Sequence, residues 1–219
     1  MDIDFIFDAA CPWSYIGKQR LDQAIAARPA VMARIKWVPF LLNPEIPENG
    51  SDRHSFLYNK FGSEARMSRM HDALTEAGKN SGIVFNFDLI DRIPSTVAAH
   101  RFIQMANLAE KGNAAADLIF KSYFTYGADI GDPGVLLDFS EQIGLDPGNI
   151  AQRLASDEFH DLVYSESARA HRLGINGVPS FACNGSMIIS GAQGAKILSR
   201  VIDAAFAELK INETLTSFC

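Results

Sequence analysis

Ile3-Asp4-Phe5-Ile6-Phe7, then Asp8-Ala9-Ala10, then Cys11-Pro12-Trp13-Ser14: this opening stretch decides the fold. Residues 3–7 form a short apolar run of the length and composition of a buried strand. The run stops at Asp8. Proline is favoured in the first helical turn because the N–H it lacks has no partner there in any case. Trp13, Ile16, Leu21, Ala24 and Ile25 then follow roughly helical spacing, and the helix stops before Pro29. A strand, a Cys-Pro step and a helix together place the thiol of Cys11 at a helix N-terminus. Free N–H groups and the helix dipole favour an anion at that position.

An ordinary cysteine, with a pKa of about 8.5, is roughly 3% thiolate at pH 7. A drop of about two units would make it mostly thiolate and needs about 2.7 kcal/mol of differential interaction. The sequence therefore predicts a depressed pKa for Cys11, helped by the hydroxyl of Ser14 three residues on. Most free cysteines are inert core residues, and Cys183, inside a strand pattern, reads that way. Cys219, the last residue, is either incidental or a resolving thiol.

Working outward, a second strand is predicted over 34–42. A loop dense in turn formers follows, Asn43-Pro44-Glu45-Ile46-Pro47-Glu48-Asn49-Gly50. Residues 51–173 carry helical patterns at 52–60, 63–79, 94–111, 113–126, 133–142, 147–154 and 157–172. Gly112, Gly127, Gly144 and Gly174 are read as helix stops. Asp132-Pro133 and Asp146-Pro147 are each read as an N-cap followed by proline. Strand character returns in Pro179 to Cys183 and Ser186 to Ser190, joined by Asn184-Gly185, a strong hairpin signal. Gly191-Ala192-Gln193-Gly194 leads into a last helix with an apolar stripe of Ile197, Val201, Ile202, Ala205, Phe206 and Leu209. The order is β-α-β, a helical block, then β-β-α: an α/β chain with residues 1–50 and 174–219 in one domain and an all-helical domain, 51–173, inserted.

Composition narrows the function. Lys and Arg total 20 against 26 Asp and Glu in 219 residues, a net charge of −6. That argues against a nucleic-acid groove or docking on anionic lipid. No apolar run approaches the ~18 residues of a membrane span, and the N-terminus carries acids where a signal peptide carries basic residues. A cytoplasmic protein is expected. Three scattered cysteines do not make a disulfide framework and suit a reducing compartment. The five histidines, His54, His71, His100, His160 and His171, show no metal-ligand spacing, so no metal site is expected.

Phe5-Ile6-Phe7-Asp8 before Cys11-Pro12-Trp13-Ser14-Tyr15-Ile16-Gly17 resembles the active-site segment of DsbA-like oxidoreductases, most closely the FrnE-like branch. Further matching segments are Pro39-Phe40-Leu41-Leu42-Asn43-Pro44, Lys60-Phe61-Gly62, Ala99-His100-Arg101, Gly174 to Phe181, and Ile189-Ser190-Gly191-Ala192-Gln193. They cover nearly the whole chain in order. The resemblance implies a thioredoxin fold with an inserted helical domain. It implies a cis Val178-Pro179 bond facing Cys11, with the Val178 backbone free to pair with an extended ligand.

It assigns catalysis to Cys11 and Ser14, and substrate binding to Pro12, Trp13, Asn43, Val178, Pro179, Gly191, Ala192 and Gln193. Asn43 reads equally as a glutathione contact and as a turn cap. Trp13 reads as a pocket wall. The backbone of Gly191-Ala192-Gln193-Gly194 reads as a nest for a carboxylate. His100 reads as cleft lining or as a hydrogen-bonded helix histidine.

One departure bears on mechanism. The family usually carries Cys-x-x-Cys, and here Ser14 holds the fourth position. Such a site cannot resolve its own mixed disulfide, so the second thiol must come from outside. Glutathione is implied as co-substrate, with no tightly bound cofactor. The related 2-hydroxychromene-2-carboxylate isomerases and kappa-class glutathione transferases have serine at the position of Cys11. Three readings follow: a monothiol thiol-disulfide oxidoreductase linked to glutathione or a thiol/disulfide client; a glutathione-dependent transferase or isomerase acting on a small electrophile; and a non-catalytic thioredoxin-fold binding module. A homodimer is left open.

Overall fold

The computed structural model describes residues 1–185 and 187–216, with side chains for 1–185 and 188–211. Cys219, the candidate resolving thiol, lies outside the described residues.

The apolar opening run forms β1, Asp2–Phe7, at an interior position of the main sheet. It pairs in parallel with β2, Arg34–Pro39, and antiparallel with β5, Ser180–Cys183, which pairs in turn with β6, Met187–Ser190. The sheet order is β2-β1-β5-β6. A strand paired on both sides and covered on both faces reads as a near-continuous apolar run. Here Ile3, Phe5 and Phe7 enter the main core, while Ile6 joins Val38, Phe40 and Ala182 in a smaller cluster on the other face. Phe5, Phe7, Trp37 and Phe181 pack ring against ring, with centroids 5.2–5.4 Å apart. Each such buried ring contributes roughly 1.5–3 kcal/mol. Strand β2 ends at Pro39, short of the predicted 42, although Phe40 N–H still bonds Phe7 C=O at 2.8 Å. Asn184 and Gly185, both at positive φ, turn the chain between β5 and β6.

Helix α1, Pro12–Ala26, follows β1, and α9, Ala195–Thr216, packs beside it. The insertion carries α2 (Arg53–Phe61), α3 (Glu64–Lys79), α4 (Val97–Leu108), α5 (Gly112–Tyr126), α6 (Pro133–Gln142), α7 (Pro147–Ala155) and α8 (His160–Arg172). The predicted caps are formed: Asp132 accepts from Gly134 N–H and Asp146 from Gly148 N–H, at 2.8 and 3.0 Å.

Several boundaries differ from the sequence reading. Helix α4 starts at Val97 rather than 94 and stops at Leu108, just before Glu110 takes a φ of 60°. Helix α8 starts at His160 because Phe159 is left-handed. Gly112 opens α5 rather than ending α4; a Cβ there would meet the Asn107 side chain, with Oδ1 at 2.7 Å. The insertion also contains a two-stranded ladder, β3 (Ser51–Asp52) with β4 (Arg92–Ile93), and a 3-10 turn at Phe87–Leu89.

The insertion is fastened to α1 by a buried cation. Lys18 of α1 bonds Asp22 at 2.6 Å and also Asp117 of α5. A buried ammonium is tolerated only when paired, and the Asp117 pair holds α5 against α1. Tyr15 completes the junction, stacking on Phe120 of α5 at 5.3 Å.

Candidate active site

Between β1 and α1 the chain makes a tight turn that Asp8 organises. Cys11 N–H donates to Asp8 C=O at 3.0 Å. The Asp8 carboxylate is almost wholly buried; its two oxygens accept from Ala10 N–H and Leu42 N–H, each at 2.8 Å, and the Thr96 hydroxyl also supports it. Burial outweighs these bonds and pushes its pKa up to about 6.

Cys11 is the N-cap of α1, with extended backbone and Pro12 next in the helix. Its Sγ lies 3.6 Å from the C=O of Val178, which accepts from the thiol. The Val178-Pro179 bond is cis. Pro179 rests against Gly17 of α1, where a Cβ would come within 2.6 Å of its Cγ. Ser14, fully buried, accepts from Asp8 N–H at 3.4 Å, which leaves its own proton to face the sulfur.

The electrostatics overturn the depressed pKa predicted for Cys11. The thiol is 4% exposed, and burial pushes it up to about 11. The Ser14 hydroxyl and the N–H groups of Ser14 and Trp13 pull down, the Asp8 charge pushes up, and desolvation is the largest effect. A helix terminus is worth ~0.3–1 kcal/mol, under one pKa unit, so it does not reverse the sign. At rest the sulfur is a protonated thiol.

The remaining predicted residues fall on two sides of Cys11. On one side, Gly191 N–H donates to Pro179 C=O at 2.8 Å, and Arg20 of α1 donates to Ala192 C=O at 2.6 Å. These bonds hold the 191–193 loop beside the Val178-Pro179 turn. Gly191 N–H and Gln193 N–H are both spent inside this structure, the latter on Gly191 C=O at 2.8 Å, so the predicted nest offers fewer free donors than its sequence implies. On the other side, Pro12, Trp13 and Asn43 line a cavity of about 270 Å³ that Cys11 also lines. Asn43 Oδ1 accepts from Lys60 Nζ at 2.9 Å. The walls are largely apolar, among them Leu42, Phe56, Leu74, Phe87 and Ile90, and the insertion supplies most of them.

Arg53 and His71 of α2 and α3 also line this cavity, and sequence reasoning missed their role. Nothing local to either residue marks it; only packing of the insertion onto α1 brings them near Cys11. His100 is a core residue. Its imidazole is fully buried against Phe7, with ring centroids 4.7 Å apart, and burial pushes its pKa down to about 3. The Phe40 backbone is its polar neighbour, but neither ring nitrogen makes a hydrogen bond of ordinary geometry. Cys183 is buried in β5, and burial raises its pKa as well. Among the described residues no group of three or more His, Cys, Asp or Glu side chains comes together as metal ligands. None of their helices is long and apolar enough to cross a membrane.

With a strand-to-helix turn carrying Cys11-Pro12 and the Val178-Pro179 turn facing it, the chain matches the DSBA-like thioredoxin domain over residues 2–203. It belongs to the DSBA-like thioredoxin domain family. A probable DsbA oxidoreductase of Streptomyces coelicolor, SCO1869, superposes on this DSBA-like chain with a TM-score of 0.85 and 26% identity, covering 95% of this chain and 91% of that one. The uncharacterized protein YwbO of Bacillus subtilis is 24% identical over 196 residues, 89% of this chain and 92% of its own length. The same fold occurs in the cytosolic disulfide reductase DsbM of Pseudomonas aeruginosa, solved with GSH, at a TM-score of 0.63 and 18% identity over 98% of this chain and all of that one.

Proposed function

We propose that this DSBA-like protein is a monothiol thiol-disulfide oxidoreductase that uses glutathione as its second thiol. One observation carries the proposal: Cys11 Sγ sits 3.6 Å from Val178 C=O at the start of α1, while the fourth position of the motif is the hydroxyl of Ser14. The thiol loses its proton as it attacks, and the sulfur then faces the Ser14 hydroxyl and two backbone N–H groups, all of which favour the thiolate. Attack on a disulfide RS–SG forms the Cys11–SG bond and releases RS⁻. A glutathione thiolate then attacks Cys11–SG, forms oxidised glutathione and returns Cys11 as thiolate, which takes up a proton. The net exchange converts RS–SG and one reduced glutathione into RSH and oxidised glutathione, whose second half comes from the substrate, and Cys11 is unchanged after each cycle.

Val178, Pro179 and the 191–193 loop are the proposed glutathione side, and Pro12, Trp13 and Asn43 the proposed side for the other half of the substrate. That DsbM, a disulfide reductase of the same fold, was solved with GSH supports the assignment. A cytoplasmic setting would supply reduced glutathione. The second reading, glutathione-dependent transfer or isomerisation of a small electrophile, is favoured by the largely apolar cavity that Cys11 helps to line.

Incubation with oxidised glutathione followed by intact mass and peptide mapping tests the first reading. One glutathione on Cys11, removed by reduced glutathione and absent in Cys11→Ser, is the expected result. No adduct, or one confined to another cysteine, refutes it.

A further inference from the structure

Arg53 begins α2 and sits half-buried in the wall of the cavity beside Cys11. Its guanidinium has an unusual partner there. Nη2 lies 2.9 Å from Nε2 of His71, and because a guanidinium only donates, the imidazole nitrogen accepts. The guanidinium also lies over the ring of Phe87, 5.5 Å from its centroid, and His71 stacks on that ring at 4.6 Å. Burial and the Arg53 charge hold His71 below its ordinary pKa, so it brings no charge of its own.

Among the described residues Arg53 makes no salt bridge; Asp88 and Tyr123 act on it only at longer range. The other cation lining the cavity, Lys60, is exposed at the rim, bonded to Asn43 and lying over Phe56.

A guanidinium partly stripped of water, in apolar walls and without a counter-ion, costs free energy that an incoming anion recovers. Arginine keeps its charge in such a place and presents its donors as a planar fork that matches a carboxylate. One half-buried cation without a salt-bridge partner suits one negative charge, which a carboxylate carries and a phosphate monoester, at about −1.5 to −2, exceeds. The volume of about 270 Å³ suits a small molecule. We infer that this cavity binds a small apolar molecule carrying a single carboxylate, with the carboxylate on Arg53 and the opposite end at Cys11. The placing of that opposite end rests on the thiol-exchange reading; the binding itself does not.

The probes are 4-phenylbutyrate and its uncharged counterpart 4-phenylbutanol, titrated into the full chain while tryptophan fluorescence is followed. Trp13 lines the cavity, whereas Trp37 is buried in the sheet core. The acid should bind at least about tenfold more tightly than the alcohol, as expected for a hydrogen-bonded charge pair. Arg53→Gln should abolish that preference while leaving the alcohol's affinity in place, and Arg53→Lys should restore part of it. Equal binding of acid and alcohol by the wild type overturns the inference, as does an Arg53→Gln variant that loses both ligands alike. A glutathione adduct on Cys11 with no acid preference overturns this inference and leaves the exchange reading standing; an acid preference with no adduct does the reverse.

Discussion

Replacing Ser14 by alanine removes a side-chain hydroxyl that faces the Cys11 sulfur. A hydrogen bond to a charged group is worth ~1.5–3 kcal/mol, so the thiol should rise by about one to two further units from its value of about 11. The thiolate fraction at neutral pH then falls about 10- to 100-fold. Thiolates of higher pKa are better nucleophiles, with a Brønsted coefficient of about 0.4–0.5, which recovers roughly half of this on a logarithmic scale. The net expectation is an exchange rate about 3- to 10-fold slower than wild type. The assay is stopped-flow reaction with 4,4′-dithiodipyridine in a Cys183→Ala, Cys219→Ser background, so that Cys11 is the sole thiol. Wild-type Cys11 should itself react roughly 20-fold more slowly than free cysteine at pH 7, from about 2.5 units of pKa difference corrected the same way. Ser14→Ala should also lose about 1–3 kcal/mol of stability, because Asp8 N–H loses its acceptor in a buried place. A Ser14→Ala protein that reacts as fast as wild type would show that the hydroxyl does not serve the sulfur. A wild-type titration midpoint at or below about 8.5 would show that burial does not dominate this thiol.

Ser14→Cys puts a second thiol where the hydroxyl faces Cys11; mild oxidant should form a disulfide between them and insulin reduction should rise above wild type, and failure to form the bond refutes the inferred geometry. Gly17→Ala drives a methyl to within 2.6 Å of Pro179 Cγ and 3.3 Å of Phe181 Cζ, so it should cost about 1–3 kcal/mol and slow glutathione adduct formation on Cys11; unchanged stability and adduct rate would show that the Pro179 turn has slack. The Asp8 carboxyl is raised from 3.8 to about 6, so the stability it contributes is present below about pH 4 and is lost as pH climbs through 6. Wild type should therefore lose about 3 kcal/mol relative to Asp8→Asn between about pH 3 and pH 7, read from chemical denaturation at each pH, and a pH-independent difference would contradict the assignment.

What the sequence determined by itself was everything that acts over a few residues. Cys11-Pro12 opens α1 because an N-cap and proline at the next position need only each other, and Asp132-Pro133 and Asp146-Pro147 open α6 and α7 for the same reason. The apolar run of β1 was legible because full burial on both faces leaves an unbroken pattern.

The tertiary structure alone decided the environment of the thiol. Val178 meets Cys11 across 167 residues of chain. Arg53 and His71 reach the cavity from the helical insertion, whose own patterns say nothing of it. The sign of the Cys11 shift was decided there too. The pull of a helix end is a local dipole effect written into Cys11-Pro12, but desolvation is the sum of every atom that keeps water away, and most of those atoms belong to residues far along the chain.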